Sequence, residues 1–233
     1  MKNILAIVFC VAVVINATAQ TKIQAREIIK QINDGRAVEY SNVEIEGDLD
    51  LTDLKNRDTK RHFINWFNFN NDLYESIVDV PVKFTGCTFL GKVLAYYHLE
   101  RPDETFIAHF EKDAVFTNCV FKRDSEFKYS GFEGKTTFAG CTFNEEANFK
   151  YAKFSNGPSF SNVKFESGAD FKYTKFPGET SFEKATFHRL ANFKYSKFRS
   201  PLNMKGVAFE GSEDFKYTSI DGRSFTSYLL VQK

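Results

Sequence analysis

The stretch FKYTKF, Phe171 to Phe176, returns as FKYSGF from Phe127, FKYAKF from Phe149, FKYSKF from Phe193 and FKYTSI from Phe215, each copy 22 residues after the last. Around it the large apolar residues fall at 116, 121, 127, 132, 138, 143, 149, 154, 160, 165, 171, 176, 182, 187, 193, 198, 204, 209, 215 and 220, and only Met204 and Ile220 are not Phe. The steps alternate five and six, an 11-residue period that also suits a right-handed helical supercoil. Composition rejects the helix: Gly, Asn, Thr, Ser and β-favouring aromatics fill the intervals, with Pro158, Pro177 and Pro201 among them. Short extended segments separated by turns fit instead.

Two residues before the second Phe of each five-residue step stands a small side chain: Cys119, Ser130, Cys141, Ala152, Val163, Thr174, Ala185, Ser196, Val207 and Thr218. On an extended chain a spacing of two puts both residues on one side. In FKYTKF this sends Phe171, Thr174 and Phe176 inward, turns Lys172 and Lys175 to water and leaves Tyr173 near a corner. Four such segments make 22 residues, so one period is one turn of a solenoid whose copies stack in register.

The units ANFKYAKF, ADFKYTKF, ANFKYSKF and TSFEKATF resemble the A-(D/N)-(L/F)-x-x unit of the pentapeptide-repeat family, with an extra residue in every second unit. The resemblance covers Phe116 to Ile220. It implies an all-β, right-handed quadrilateral β-helix with Phe at the central position and the small residue as its inward neighbour. The extra residue places wider or bulged corners at alternate positions.

The ladder extends backward. Phe84 and Phe89 flank TGCT but lie 32 residues before 116 and 121, one turn plus about ten residues. The surplus predicts a hairpin around HLERPDE, His98 to Glu104, which places Ala95 at the Phe127 position and Tyr97 at the Tyr129 position. Further back Val43, Leu49 and Leu54 keep a six-then-five step, and an insertion follows from about Lys55 to Ile77. Thr21 to Gly35 reads as one short amphipathic helix, with Thr21 and Gln24 as a capping box and Gly35 as C-cap, covering the first turn. The tail SFTSYLLVQK closes the last turn, since a bare solenoid end is an unpaired edge. The expected division is a leader over 1–19, the capping helix and entry strand over 20–42, the β-helix over 43–222 with insertions near 55–77 and 96–109, and a C-terminal cap over 223–233.

The opening MKNILAIVFCVAVVINATAQ has an early Lys, an apolar run from Ile4 to Ile15 and a small-x-small site at Ala17-Thr18-Ala19, the layout of a secretory signal peptide. The run is short of the roughly 20 apolar residues that span a bilayer. Cys10 lies inside it after Phe9, which does not fit lipidation. The mature chain is therefore expected to start near Gln20, exported to the periplasm or beyond, with no membrane span. The chain has 27 Phe, 10 Tyr and 1 Trp, enough aromatic surface for a large core, while a net charge of +1 offers no long-range field for nucleic acid.

Candidate chemistry is sparse. Cys87, Cys119 and Cys141 share the small inward slot of one face and read as small hydrophobes; a disulfide between stacked turns remains an alternative on distance. His62, His98, His109 and His188 have no metal-ligand spacing, although His98 and His109 flank the predicted hairpin beside Asp103 and Glu104. No phosphate-binding glycine loop, G-x-S-x-G or HExxH occurs, so no cofactor, metal or catalytic residue is assigned. The outward columns are more informative: Lys128, Lys150, Lys172, Lys194 and Lys216; then Tyr97, Tyr129, Tyr151, Tyr173, Tyr195 and Tyr217; then Lys153, Lys175 and Lys197. Stacked at about 4.8 Å per turn they form a strip of cation and phenol. The strip suits an extended anionic or sugar polymer held by stacking and charge. It also suits a purely protective role, with Tyr covering the corner and Lys keeping the surface soluble and unpairable.

The expectation is an exported, non-enzymatic scaffold whose partner is an envelope polysaccharide or an envelope protein along the Lys/Tyr face. The alternative is protein docking through the insertions, where INWFNFNNDLY carries Trp66 and Asn68 to Asp72. A homodimer through a solenoid end is open. DNA mimicry, which the family resemblance brings with it, conflicts with the lysine columns and the leader. A β-helical carbohydrate-active enzyme finds no distinctive carboxylate pair.

Overall fold

The computed structural model describes residues 20–59 and 72–231. The expected leader, His62, Trp66 and Asn68 lie outside the described residues. From Thr21 to Val231 the elements begin with β1 (Thr21–Gln24), α1 (Ala25–Asn33), β2 (Val38–Ser41), β3 (Val43–Glu46), β4 (Leu49–Asp50), β5 (Asp58–Thr59), β6 (Asp72–Val78), β7 (Val82–Thr85), β8 (Thr88–Phe89), β9 (Val93–Leu94), β10 (Tyr96–Leu99) and β11 (Glu104–Phe110). Short parallel rungs follow, nearly all two residues long, and α2 (Phe225–Val231) ends the described chain. The rungs stack 22 residues apart: Phe121 pairs with Phe143, Phe143 with Phe165, Phe165 with Phe187 and Phe187 with Phe209. Four such columns make the four sides of a β-helical solenoid.

The core consists of Phe columns. Along the axis rings lie face to face, with centroids 4.5 Å apart for Phe121–Phe143 and 5.1 Å for Phe149–Phe171. Across the core they meet edge to face, Phe149 on Phe160 at 84° and Phe160 on Phe171 at 81°. Both arrangements suit the ring quadrupole, and the rise between rungs is itself close to a stacking distance. Phe149, Phe160 and Phe171 have no exposed surface.

The five-residue and six-residue steps build different corners. From Phe127 onward each five-residue step closes a hydrogen-bonded turn, with the N–H of Ser130 on the Phe127 carbonyl at 3.1 Å and that of Thr174 on Phe171 at 3.0 Å. The third turn residue has positive φ, as a type II turn requires. The six-residue steps hold the extra residue in looser corners such as Ser155 to Ser159.

The first turn corrects the backward extension. Ile45 pairs with Phe89, Tyr40 with Phe84, and Leu51 donates its N–H to Leu94, so Tyr40, Ile45 and Leu51 are its anchors. Val43 and Leu54 are buried in the small-residue slot instead, and Leu49 lies in β4. Aliphatic residues stand in both kinds of slot here, so size gave no register. Thr21 to Gln24 are strand and not helix, because they pair with Val43 to Glu46 of β3. Gln24 is then the helix N-cap, and no side chain caps it. Gly35, at φ +69°, does end α1: its N–H reaches the Ile32 carbonyl and that of Arg36 reaches Gln31, a Schellman closure. Ala25, Ile28 and Ile32 bury the apolar face of α1 against the first turn. At the other end Phe225 stacks on Phe198 and Phe215, 5.2 and 4.9 Å away.

Both surpluses leave the same side of the solenoid. β6 and β11 are extended to seven residues and pair in parallel over their whole length, with β5 antiparallel to β6 and β10 antiparallel to β11. Together they form a wing.

Candidate functional site

The strip begins with an Asx residue. Asn148, Asp170, Asn192 and Asp214 each accept, through Oδ1, the N–H of the Lys two residues on, at 3.1, 2.8, 3.2 and 2.8 Å. This side-chain turn satisfies a donor that the corner would leave open and starts the bend. The second residue of each ANF or ADF unit thus has a structural job that reading outward columns alone missed.

The next residue pair forms the candidate site. Tyr129, Tyr151, Tyr173, Tyr195 and Tyr217 occupy the left-handed turn position with φ between 61° and 62°. For a bulky side chain that conformation costs roughly 1–2 kcal/mol. Their rings stack in one column, with centroids 4.9, 4.6, 4.7 and 4.8 Å apart and planes within 17° of parallel. Beside them Lys128, Lys150, Lys172, Lys194 and Lys216 each hold Nζ over the ring of the following Tyr, 5.1–5.5 Å from its centre. Stacking contributes roughly 0.5–1.5 kcal/mol per contact and an exposed cation–π contact roughly 0.5–1 kcal/mol. A rung with two ring neighbours therefore offsets its backbone strain by a wider margin than Tyr217, which has one stacked neighbour and one cation–π contact.

Tyr97 does not join the ladder. Ala95 takes the Phe127 position, as the count predicts, since its N–H bonds Glu126. The chain then departs into β10, where Tyr97 is 46% exposed and its ring lies 6.2 Å from Phe106. Tyr96 ends the ladder instead: its ring is 5.9 Å from Tyr129 at 53°, and Lys128 donates to its hydroxyl at 2.9 Å.

Burial lowers the pKa of Lys128, Lys150, Lys153 and Lys175 from the ordinary lysine value. Burial pushes the Tyr129 phenol up to about 12 and raises Tyr151. Burial also raises Glu126, Glu146 and Asp170, which line the same side.

The other candidates separate. Cys87, Cys119 and Cys141 are buried free thiols, as the small-hydrophobe reading expects and the disulfide alternative does not. Each thiol points at a carbonyl of an earlier turn, Cys119 at Phe84 and Cys141 at Phe116. Hydroxyls at the equivalent slots do the same more strongly: Thr174 donates to the Phe149 carbonyl at 2.7 Å and Thr218 to Phe193 at 2.6 Å. That bond explains why small polar residues are accepted inside. The neighbouring Cys141 thiol, ahead of burial, pushes Cys119 up to about 12, which leaves it a poor nucleophile.

His98 and His109 do not meet. His98 bonds Thr105 across the wing at 3.1 Å, while His109 is buried over Gly131 with Nε2 3.3 Å from Glu133. His188 lies between Glu166 and Glu210, its counterparts one turn before and after, at 3.6 and 2.6 Å. Sequence spacing of 22 contained that cluster, which a search for short motifs passes over.

The family model described as "Pentapeptide repeats (9 copies)" matches residues 108–153 and 149–197. No curated protein and no solved structure matches the chain.

Proposed function

We propose that this chain, a pentapeptide-repeat protein over residues 108–197, is an exported scaffold that performs no catalysis and binds an extended anionic polymer along its Lys/Tyr strip. One observation carries the reading: five tyrosines occupy left-handed turn positions that sterics reserve for Gly and Asn, and line up under five ammonium groups. Backbone strain concentrated in a surface column is an argument for function. Stacking of a ligand between the inner rings has no room, because the faces of Tyr151, Tyr173 and Tyr195 already lie against their neighbours. Charge and phenol hydroxyls remain. The residues Met1 to Gln20 support export by composition, and no described helix is long and apolar enough to cross a membrane.

Screening immobilised polyanions and neutral glycans at two salt concentrations tests the reading. The wild type should retain polyanions in a salt-sensitive way, and changing Lys150, Lys172 and Lys194 to Glu should abolish retention. Cell fractionation with N-terminal sequencing should place the mature protein in the envelope or medium, starting near Gln20; a cytoplasmic full-length chain would defeat the export claim.

A second reading, protein docking on the wing, is favoured by the row Tyr74, Phe106 and Tyr97, which crosses three strands with Arg57 5.4 Å over Phe106. Deleting residues 97–106 should then abolish partner binding while the lysine changes leave it intact.

A further inference from the structure

We infer that the stacked tyrosines are a radical relay: a one-electron oxidation anywhere along the column drains to Tyr217, where two chains become joined through a dityrosine bond. Polymer binding plays no part in it. The rings of Tyr129, Tyr151, Tyr173, Tyr195 and Tyr217 follow one another with centroids 4.6–4.9 Å apart and planes within 17° of parallel. Tyr96 adds a tilted ring 5.9 Å from Tyr129. Faces stacked this closely are in contact, so an electron passes from ring to ring with no bonded path between them.

Stacking alone does not single this column out. The core holds Phe columns of the same kind, with centroids 4.5 Å apart for Phe121–Phe143 and 5.1 Å for Phe149–Phe171. A phenyl ring has no proton to shed and gives up an electron only to a far stronger oxidant. A phenol releases an electron and a proton together, and so begins and ends neutral. The Tyr column is thus a conducting edge beside an insulating core, and none of its rings is fully buried from an oxidant in solution.

The chemistry balances at each step. A one-electron oxidant, such as an oxygen-centred radical, takes an electron from one ring while the hydroxyl proton goes to water, which leaves a neutral phenoxyl. The next ring passes an electron across the stack and loses its own proton; the first takes up an electron and a proton and is a phenol again. Two phenoxyls at Tyr217 of two chains then form one carbon–carbon bond ortho to their oxygens. The hydrogen displaced from each ring carbon ends on the oxygen beside it.

Direction comes from where the proton can go. Each ring of the ladder has an ammonium group 5.1–5.5 Å from its centre, and Glu126 and Asp170 act on Tyr96 and Tyr151. Charges of either sign change a couple that is neutral on both sides only a little. Burial matters more, because it withholds the water that must take the proton, and burial raises the pKa of Tyr96, Tyr129 and Tyr151. Tyr217, at the far end, is 62% exposed. The radical therefore rests longest there, on the one ring of the column that reaches far enough into water to meet its counterpart on another chain.

Photo-excited ruthenium tris-bipyridine with persulfate, a freely diffusing one-electron oxidant, tests this, with products at each tyrosine mapped by peptide mass spectrometry and covalent dimers separated on denaturing gels. The wild type should form dimers linked through Tyr217 and little product at Tyr129 and Tyr151. Y173F keeps a ring in the stack but interrupts the phenols, so its circular dichroism should match wild type. Product at Tyr129 and Tyr151 should rise several-fold in that variant while the yield at Tyr217 falls. Y97F removes an exposed phenol that lies off the column and should leave the distribution along the column as it was. A Y173F distribution equal to wild type, or a Y97F effect equal to that of Y173F, shows each ring reacting by its own exposure and overturns the relay. Dimers that form undiminished in Y217F overturn the cross-linking site.

Discussion

Two corners of the solenoid share one backbone and are filled by opposite rules. At one, the left-handed position is Asn42, Gly86, Asn118, Gly140, Asn162, Lys184 and Gly206, with φ from 54° to 70°. Half a turn away the same position is Tyr129, Tyr151, Tyr173, Tyr195 and Tyr217. The first column is what elementary sterics asks for, and the side-chain amide of Asn118 even fills the space a side chain on Gly140 would need. The second is tolerated because each ring rests on the next. One corner is stable rung by rung, the other only as a column.

That contrast can be broken in four ways, taken in order of size. Phe149→Ala beneath the Tyr corner and Phe160→Ala beneath the Asn corner both remove a fully buried ring and should each cost roughly 3–5 kcal/mol in denaturant unfolding. A cost confined to one side would mean that the two corners do not share a core. Next, Asn162→Tyr places a ring with no column to join and should destabilise by about 1–2 kcal/mol. Asn162→Gly should change little, while Tyr173→Gly should still lose about 1 kcal/mol despite relieving strain, because two stacked contacts go with it. Equal effects of glycine at 162 and 173 would show that the column contributes nothing.

Third, Thr174→Val deletes the bond to the Phe149 carbonyl and should cost about 1 kcal/mol. Val163→Thr, at the matching slot of the other corner, should gain a fraction of that by supplying a hydroxyl. The smallest effect is in pH. Burial raises the Asp170 carboxyl above its ordinary 3.8, so ionising it opposes folding. Its favourable contribution is complete below that ordinary value and is lost as pH rises through the elevated one. Asp170→Asn, the residue already at 148 and 192, should therefore gain on wild type at neutral pH and lose that advantage in acid. Taking the difference between the two proteins removes the opposite trend of His109, whose pKa burial lowers.

The solenoid was legible in the sequence wherever large and small inward residues differ in kind. From Phe116 to Ile220 a Phe in nearly every large slot and Thr, Ser, Cys, Ala or Val in the other declare the register. In VEIEGDLDLTDL every inward residue is aliphatic, and the pattern fits a frame shifted by a few residues, which is the frame expected. The ten-residue surplus was countable, but where the chain leaves the column was not, and Tyr97 was expected in a place that Tyr96 closes. Thr21 to Gln24 carry a helix-capping pattern that pairing with β3 overrides. The lysine and tyrosine columns were readable as columns. That the tyrosines bend the chain, and spend their faces on one another, depends on a backbone angle that no composition rule assigns to tyrosine.

The wing bears on how such a chain keeps count while it folds. Rungs that are nearly interchangeable can slip by a whole period and still set Phe on Phe, so local fit gives no penalty for skipping a turn. β6 and β11 pair over seven residues, from Asp72–Glu104 to Val78–Phe110, where an ordinary rung pairs over two. Among the described residues no other rung pair offers so long a match, and it stands on a single pair of neighbouring turns. Once it has closed, every later turn has a number, and the chain winds outward from a fixed origin.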